Sequence, residues 1–363
     1  MEFKPVKIGK YTLKYPIIQG GMGVGISWDQ LAGAVSLEGG LGVVSSVGTG
    51  YYQNKKYTKK LVANRPFETD NFYSKEALIK IFENARKICG DKPLGCNILY
   101  AINDYGKVVE NSCEAGADII ITGAGLPTNM PEFTTNFPDV ALVPIVSSAK
   151  ALRLICRRWE KRYGRIPDAV VLEGPLSGGH QGFTYEQCFM EEYRLENLIP
   201  PVAKEASSWG GIPIFAAGGI WDKKDIENCM KLGATGVQMG TRFIGTYECD
   251  AHQNFKDILI NAKKEDIFLL KSPVGYPARG IRTNLINLVK KRKGPAIKCI
   301  SNCVVPCKRG IEAKEVGYCI ADRLSDAYMG NEELGLFFTG LNGYRVDRLI
   351  SVKELMQKLV NGE

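Results

Sequence analysis

Residues 212–243 read "IPIFAAGGIWDKKDIENCMKLGATGVQMGTRF". Two short apolar runs, "IPIFAAGG" (212–219) and "TGVQMGT" (235–241), flank the amphipathic stretch "KKDIENCMKLG", which closes on a glycine as helices commonly do. The runs are continuously apolar rather than alternating, the pattern of strands covered on both faces in a parallel sheet. The stretch therefore reads as strand, helix, strand. Each strand is followed by glycines.

The same grammar recurs upstream in "YPIIQG" (15–20), "GLGVVSS" (40–46), "PLGCNIL" (93–99), "ADIIIT" (117–122), "VALVPIVSS" (140–148) and "DAVVLEG" (168–174). Helical patterns lie between them: "WDQLAGAVSLEG", "SKEALIKIFENARKICG", "INDYGKVVENSCEAG" and "SAKALRLICRRWEKRYG". The segment 127–139, with two prolines, has room for a short helix only. Eight strand–helix units predict a TIM-type (β/α)₈ barrel. A doubly wound open sheet competes, but "GGMGVG" imitates its dinucleotide fingerprint only in part, and the second run ends in serines rather than an acidic residue.

After the eighth strand the chain continues through helical segments, a basic patch, a cysteine cluster and "GLFFTGLNGYR". It ends on the amphipathic "SVKELMQKLVNG". The expected organisation is a barrel over 1–245 and an inserted, mainly helical lid over 246–345. Residues 346–363 then return as the eighth barrel helix. An insertion after the eighth strand emerges at the strand C-termini, the functional face of such barrels.

The totals agree with a globular enzyme. The 363 residues are 45% apolar and 24% charged, with no apolar run near the ~20 residues that span a bilayer. The N-terminus has no secretory pattern, so the expected location is the cytoplasm, without membrane attachment. Eleven cysteines, an odd number, argue against a disulfide scaffold. The net charge of +8 is partly concentrated at Lys290, Lys291, Arg292 and Lys293. That patch is a solvated helix end or a landing site for a phosphate-bearing substrate or acidic partner. Nothing interleaves aromatic and basic residues as nucleic-acid binding would require.

In a barrel the residues just after each strand share one rim. In many barrels the loops after strands seven and eight cradle a phosphate, which selects Gly218, Gly219, Gly240 and Thr241. The chain has two histidines. His180 stands among glycines in "VVLEGPLSGGHQGF" (170–183), at the rim, where an imidazole can exchange a proton near neutrality. His252 reads as an ordinary residue of a later helix.

Taken in order, "PIIQGGMG", "PLGCNI", "EGPLSGGHQG", "FAAGGI" and "VQMGTRF" resemble the FMN-dependent nitronate monooxygenase family, to whose superfamily the flavin-type enoyl-acyl-carrier-protein reductase II belongs. The resemblance covers roughly residues 14 to 245. It implies FMN across the barrel mouth, with its phosphate on Gly218, Gly219, Gly240 and Thr241. The ring would lie near Gly21, Met22 and Gly23, with polar contacts from Asn97, Glu173 and Gln238. Gly178 and Gly179 would pass close by, Lys150 would lie near the flavin, and His180 would be catalytic.

Two chemistries follow from that resemblance: oxidation of alkyl nitronates or nitroalkanes with O₂, or NAD(P)H-dependent reduction of an enoyl thioester. A flavin-binding sensor without fast turnover is a third. Glu173 leans toward the reductase branch. Leu176, where an acidic residue is common, and the chain length lean toward the monooxygenase, which is the preferred expectation. The partner is a small molecule, and a homodimer stays open. Cys299, Cys303, Cys307 and Cys319 supply enough thiols for a metal, but their spacing lacks the usual C-x₂-C pair and Pro306 interrupts the helix that would align them, so no metal is expected.

Overall fold

In the computed structural model, which describes residues 2–52, 73–295, 303–304, 307 and 317–362, each of the eight apolar runs is a strand. A hairpin comes first, β1 (Val6–Ile8) with β2 (Tyr11–Leu13). The eight strands are β3 (Ile17–Gln19), β4 (Gly42–Ser45), β5 (Leu94–Leu99), β6 (Ile119–Gly123), β7 (Ala141–Val146), β8 (Val170–Glu173), β10 (Ile214–Ala217) and β11 (Gly236–Met239). All pair in parallel, in the order β3-β11-β10-β8-β7-β6-β5-β4. A parallel bridge between Ile18 and Leu41 joins the two ends, with Gln19 N–H donating to the Leu41 carbonyl at 2.9 Å. The sheet closes as a barrel.

Six helices cover it: α1 (Asp29–Leu37), α2 (Lys75–Cys89), α3 (Tyr105–Glu114), α4 (Ala149–Tyr163), α5 (Leu195–Ser207) and α6 (Lys223–Lys231). Ser74, Ser148 and Asp222 cap α2, α4 and α6 by accepting the third N–H of each helix, and Gly90 and Gly164 terminate α2 and α4. Helix α5 contains Pro200 and Pro201 and is absent from the helical patterns read in the sequence. Residues 127–139 hold only the 3₁₀ turn Met130–Thr134.

Side chains of successive strand residues alternate between two cores. Cys96, Ile98, Leu172, Ala216 and Val237 face the helices, while Ile18, Val43, Ile121, Val143, Val171 and Phe215 fill the barrel. The β1–β2 hairpin plugs the N-terminal end with Val6, Ile8 and Leu13.

The turn after β11, α7 (Thr241–Ile244), is a single helical turn. The chain leaves the barrel there and comes back beside its exit: Tyr247 N–H donates to the Ile350 carbonyl at 3.0 Å, and Ile350 N–H to that of Gly245 at 3.2 Å. Between these points lie α8 (Gln253–Asn261), the strands β12 (Ile267–Lys271) and β13 (Pro277–Ile281), α9 (Asn284–Lys290) and α10 (Ile320–Tyr328). The β12–β13 hairpin is a sheet element that the sequence reading did not place. Helix α11 (Val352–Asn361) packs against α1 and α6, the slot an eighth barrel helix fills. Lys290, the last residue of α9, and the Lys291, Arg292 and Lys293 that follow it are exposed. Cys303 is buried against Ala321, and Cys307 and Cys319 are half-buried. Cys299 and Pro306 lie outside the described residues, among which no cluster of His, Cys, Asp and Glu is arranged for a metal.

Candidate active site

The same alternation that fills the barrel with Val171, Phe215 and Val43 brings Asn97, Glu173 and Gln238 to inward positions at the strand C-termini. Register sets them level: Ala217 pairs with Glu173 on one side and Gln238 on the other. Burial pushes the Glu173 carboxyl up to about 7, and the Ser177 hydroxyl pulls it partly back. Asn97 Nδ2 donates to the Ile121 carbonyl at 3.4 Å. Gln238 Oε1 and Ser46 Oγ are buried with no hydrogen-bond partner among the described residues.

The loop after β3 lies over this layer. Ser27 Oγ accepts from Met22 N–H at 2.8 Å and Ser27 N–H returns to the Met22 carbonyl at 3.1 Å, folding the loop back on itself. Gly21 sits where any side chain would strike Asn97, and a Cβ at Gly23 would stand 2.8 Å from Ser45 Oγ. The Met22 thioether reaches the loop after β11, where a Cβ on Gly240 would stand 3.2 Å from it. Asn97, Gly21, Met22, Gly23, Gly240 and Gln238 are thus drawn into one layer.

The two loops selected for a phosphate are bound to Gly340 and Asn342, in the segment that follows β11. Gly218 and Gly219 both have positive φ, +102° and +85°, in a backbone path that β-carbons resist. A Cβ at Gly218 would lie 2.7 Å from the Gly174 carbonyl, so the loops after β8 and β10 pack without a gap. Gly340 N–H donates to Thr241 Oγ1 at 2.7 Å, and Asn342 Nδ2 to the Gly219 carbonyl at 2.6 Å. A hydroxyl that accepts one hydrogen bond retains its own hydrogen to donate, so Thr241 is still equipped to meet an anion.

His180 belongs to the three-stranded sheet β12-β13-β9 as much as to the barrel. With Gly179 it forms the two-residue strand β9, paired antiparallel with β13 through Ala278↔His180 and Arg279↔Gly179. A Cβ at Gly178 would lie 2.7 Å from the backbone of Thr339, so that glycine admits the backbone at 339–340. His180 Nε2 is 2.7 Å from Ser272 Oγ, and its ring meets Phe338 edge-on at 5.4 Å. Burial pushes the imidazole down to about 4, leaving it a free base at neutral pH.

Arg279, 3% exposed, donates to the carbonyls of Pro175 and Ser177, and Gln181 Nε2 to those of Ser177 and Gly179, so the glycine loop is braced from inside. Beside the Ser272 hydroxyl opens a cavity of about 610 Å³, lined among others by Gly182, Phe183, Tyr185, Lys271 and Tyr276.

Lys150 is exposed in the first turn of α4, with no hydrogen bond or ion pair to the other site residues among the described residues. His252 caps α8, its Nδ1 accepting from Asn254 N–H at 3.1 Å. Ser272, Arg279, Gln181 and Phe338 escaped the sequence reading. The one available signal was "SPVGYPARG" (272–280), whose proline and glycine between apolar runs mark a hairpin.

The sequence model of the nitronate monooxygenase family matches residues 4–362. A probable nitronate monooxygenase of Staphylococcus aureus strain Newman is 27% identical over 308 residues, covering 78% of this chain and 79% of that one. FabK of Thermotoga maritima superposes with a TM-score of 0.72 at 26% identity, covering 96% of this chain and 92% of its own. A nitroalkane oxidase from Streptomyces ansochromogenes, 18% identical, shares the fold with a TM-score of 0.66 over 96% of this chain and 95% of its own. The chain is an oxidoreductase and belongs to the nitronate monooxygenase family.

Proposed function

We propose that the protein is an FMN-dependent nitronate monooxygenase, oxidising alkyl nitronates and nitroalkanes with O₂. The observation that carries this reading is the barrel mouth. A loop of glycines lies over an inward layer of Asn97, Glu173 and Gln238, and the Gln238 Oε1 is buried without a partner among the described residues. A buried amide oxygen left unpaired costs free energy unless a ligand donor meets it, so the residues fit a planar, polar-edged cofactor. In this reading Gly218, Gly219, Gly240 and Thr241 hold the phosphate. Gly21, Met22 and Gly23 line the ring with Asn97, Glu173 and Gln238, and Gly178 and Gly179 frame it. Lys150 stands at the periphery, and residues 246–345 act as the lid.

FMN, when bound, supplies the electron acceptor, which side chains cannot. The protein's own work is proton handling and positioning. His180, a free base at neutral pH, takes the α-proton of a neutral nitroalkane and, once protonated, sits as a cation beside the nitronate. Glu173 is near half-protonated at pH 7 and can donate as well as accept a hydrogen bond at the mouth. Phe338, which bridges to Gly280, and the loop at 178–182 close around the imidazole and limit water there.

A second reading, NAD(P)H-dependent enoyl reduction, is favoured by the likeness to FabK and by a cavity of about 610 Å³, the size of a drug-like ligand rather than a nitroalkane. Anaerobic mixing separates the two. Bleaching of the flavin by a nitronate but not by NADH or NADPH is the expected result. Bleaching by nicotinamide, with reoxidation by an enoyl thioester, would replace the first reading by the second. Flavin that responds to neither makes the protein a sensor, and protein that binds no FMN overturns all three.

A further inference from the structure

Helix α1 begins where the loop over the barrel mouth ends, and its N-cap position is Trp28, whose indole has no oxygen to offer the first N–H groups. Asp29, in the first turn, does not stand in for it; its carboxylate accepts from Gln30 Nε2 at 2.8 Å. The acceptor comes instead from 222 residues away. Asp250 Oδ2 accepts from Trp28 N–H at 2.8 Å and from Leu31 N–H at 3.2 Å, and Oδ1 accepts from Gln30 N–H at 3.3 Å. One carboxylate thus serves three of the N–H groups that a helix start leaves without partners, and its charge suits the positive end of the helix.

The backbone beside it makes the same junction. Asp250 N–H donates to the Ile26 carbonyl at 3.1 Å, and Cys249 Sγ donates to the same oxygen at 3.5 Å. Tyr328 of α10 meets Trp28 edge-on, ring centroids 4.9 Å apart, and fills the space that a Cβ at Gly25 would need. From Trp28 the hold reaches the mouth in one step. Ser27 folds the loop back on Met22, its carbonyl accepts from Ser45 N–H at 2.9 Å, and Trp28 Nε1 donates to the Ser45 carbonyl at 3.2 Å. The loop is pinned by β4 on one side and by residues 249–250 on the other.

We propose that Asp250 is the positioning residue of the loop that carries Gly21, Met22 and Gly23. By capping α1 from the segment after β11, it fixes the end of that loop and so the surface the loop presents over Asn97 and Gln238. That this surface meets the flavin ring rests on the functional reading above; that Asp250 holds the loop does not.

Hydrogen exchange of the flavin-free protein tests the hold. Asp250→Ala should speed exchange of the Trp28, Gln30 and Leu31 amides at least roughly tenfold. Ser351→Ala is the control: Ser351 Oγ caps α11 by accepting from Glu354 N–H at 3.0 Å, so its loss should lower Tm by a similar few degrees and leave those amides unchanged. Flavin titration tests the consequence. In Asp250→Ala the affinities for FMN and for riboflavin should both fall about tenfold, because the loop faces the ring rather than the phosphate, while Ser351→Ala keeps both. Asp250→Asn, which retains one oxygen acceptor, should recover most of the loss, and it carries the comparison if Asp250→Ala does not fold. Affinity lost equally in Ser351→Ala would make the effect one of stability and overturn the assignment. Unchanged exchange at Trp28, or unchanged flavin affinity, in Asp250→Ala would overturn it too. Wild-type protein that binds no flavin overturns the functional reading and the cofactor half with it, while the exchange rates still decide whether Asp250 holds the loop.

Discussion

At the N-terminal end of the barrel, Val6, Ile8 and Leu13 close onto Ile18, Ile119, Val171 and Phe215, and nothing polar is asked of the interior. At the C-terminal end the inward positions include Asn97 on β5, Glu173 on β8 and Gln238 on β11. One alternation builds both ends. Packing at the first stabilises the fold through contacts that involve no ligand. At the second the protein carries the desolvation of a carboxyl and an unpaired amide oxygen, which is free energy held against the fold until a ligand arrives. The plugged end should therefore answer to stability measurements and the open end to binding and rate measurements.

Four substitutions can break that division. Phe215→Ala, at a fully buried position of the plugged half, should cost about 3–5 kcal/mol in urea unfolding while the protein that remains folded keeps its flavin affinity. Loss of flavin at unchanged stability would merge the two ends. His180→Ala should retain flavin and lower turnover roughly 10²–10⁴-fold, as removal of an acid–base group does; flavin-free protein from this variant would make His180 a binding residue. Gln238→Leu should leave the flavin-free protein as stable as before or more so, because it deletes an unpaired buried group, yet weaken flavin binding by about tenfold. If both quantities fall together, the amide is structural.

Glu173→Gln gives the smallest effect, a change in slope. The Glu173 pKa is raised on folding, so the folded state holds the extra proton and stability falls as pH rises from 4.5 to about 7. His180 is depressed from 6.5 to about 4, so its neutral burial contributes fully above 6.5 and that stability is lost as pH falls toward 4. The wild type sums two opposed slopes. Glu173→Gln should expose the histidine slope alone, seen as a steeper loss of Tm on acidification from pH 6.5. An unchanged profile would mean that the carboxyl is not desolvated.

The eight strands were legible because burial on both faces writes continuous apolar runs: "ADIIIT" and "VALVPIVSS" became Ile119–Gly123 and Ala141–Val146 within two residues. Helix α5 was not, since Pro200 and Pro201 argue locally against a helix, and tertiary packing of Leu198, Ile199 and Val202 overrides them. Glycine punctuation pointed to the rim, and His180 stood out by rarity. Strand-end position put Asn97 and Glu173 on the rim, whereas Gln238 and the cofactor contacts expected of all three were reached through family resemblance. Ser272 and Arg279 were out of reach, because what they do is decided by partners 92 and 104 residues away. A sequence pattern reports an element's own faces; it does not report which distant segment will lie against them.

The hydrogen bonds that join Gly245 and Tyr247 to Ile350 mean that everything between them starts and finishes at one point on the barrel. Such a segment is a cassette: lengthening it changes the entropy of closing the loop by only about 0.6 kcal/mol per doubling, and the strands do not register the change. Exchanging it would change what covers the mouth while the barrel below keeps its glycine loops. The histidine makes the exchange incomplete, because its strand is completed by the cassette, so a new cassette must bring its own partner for that imidazole.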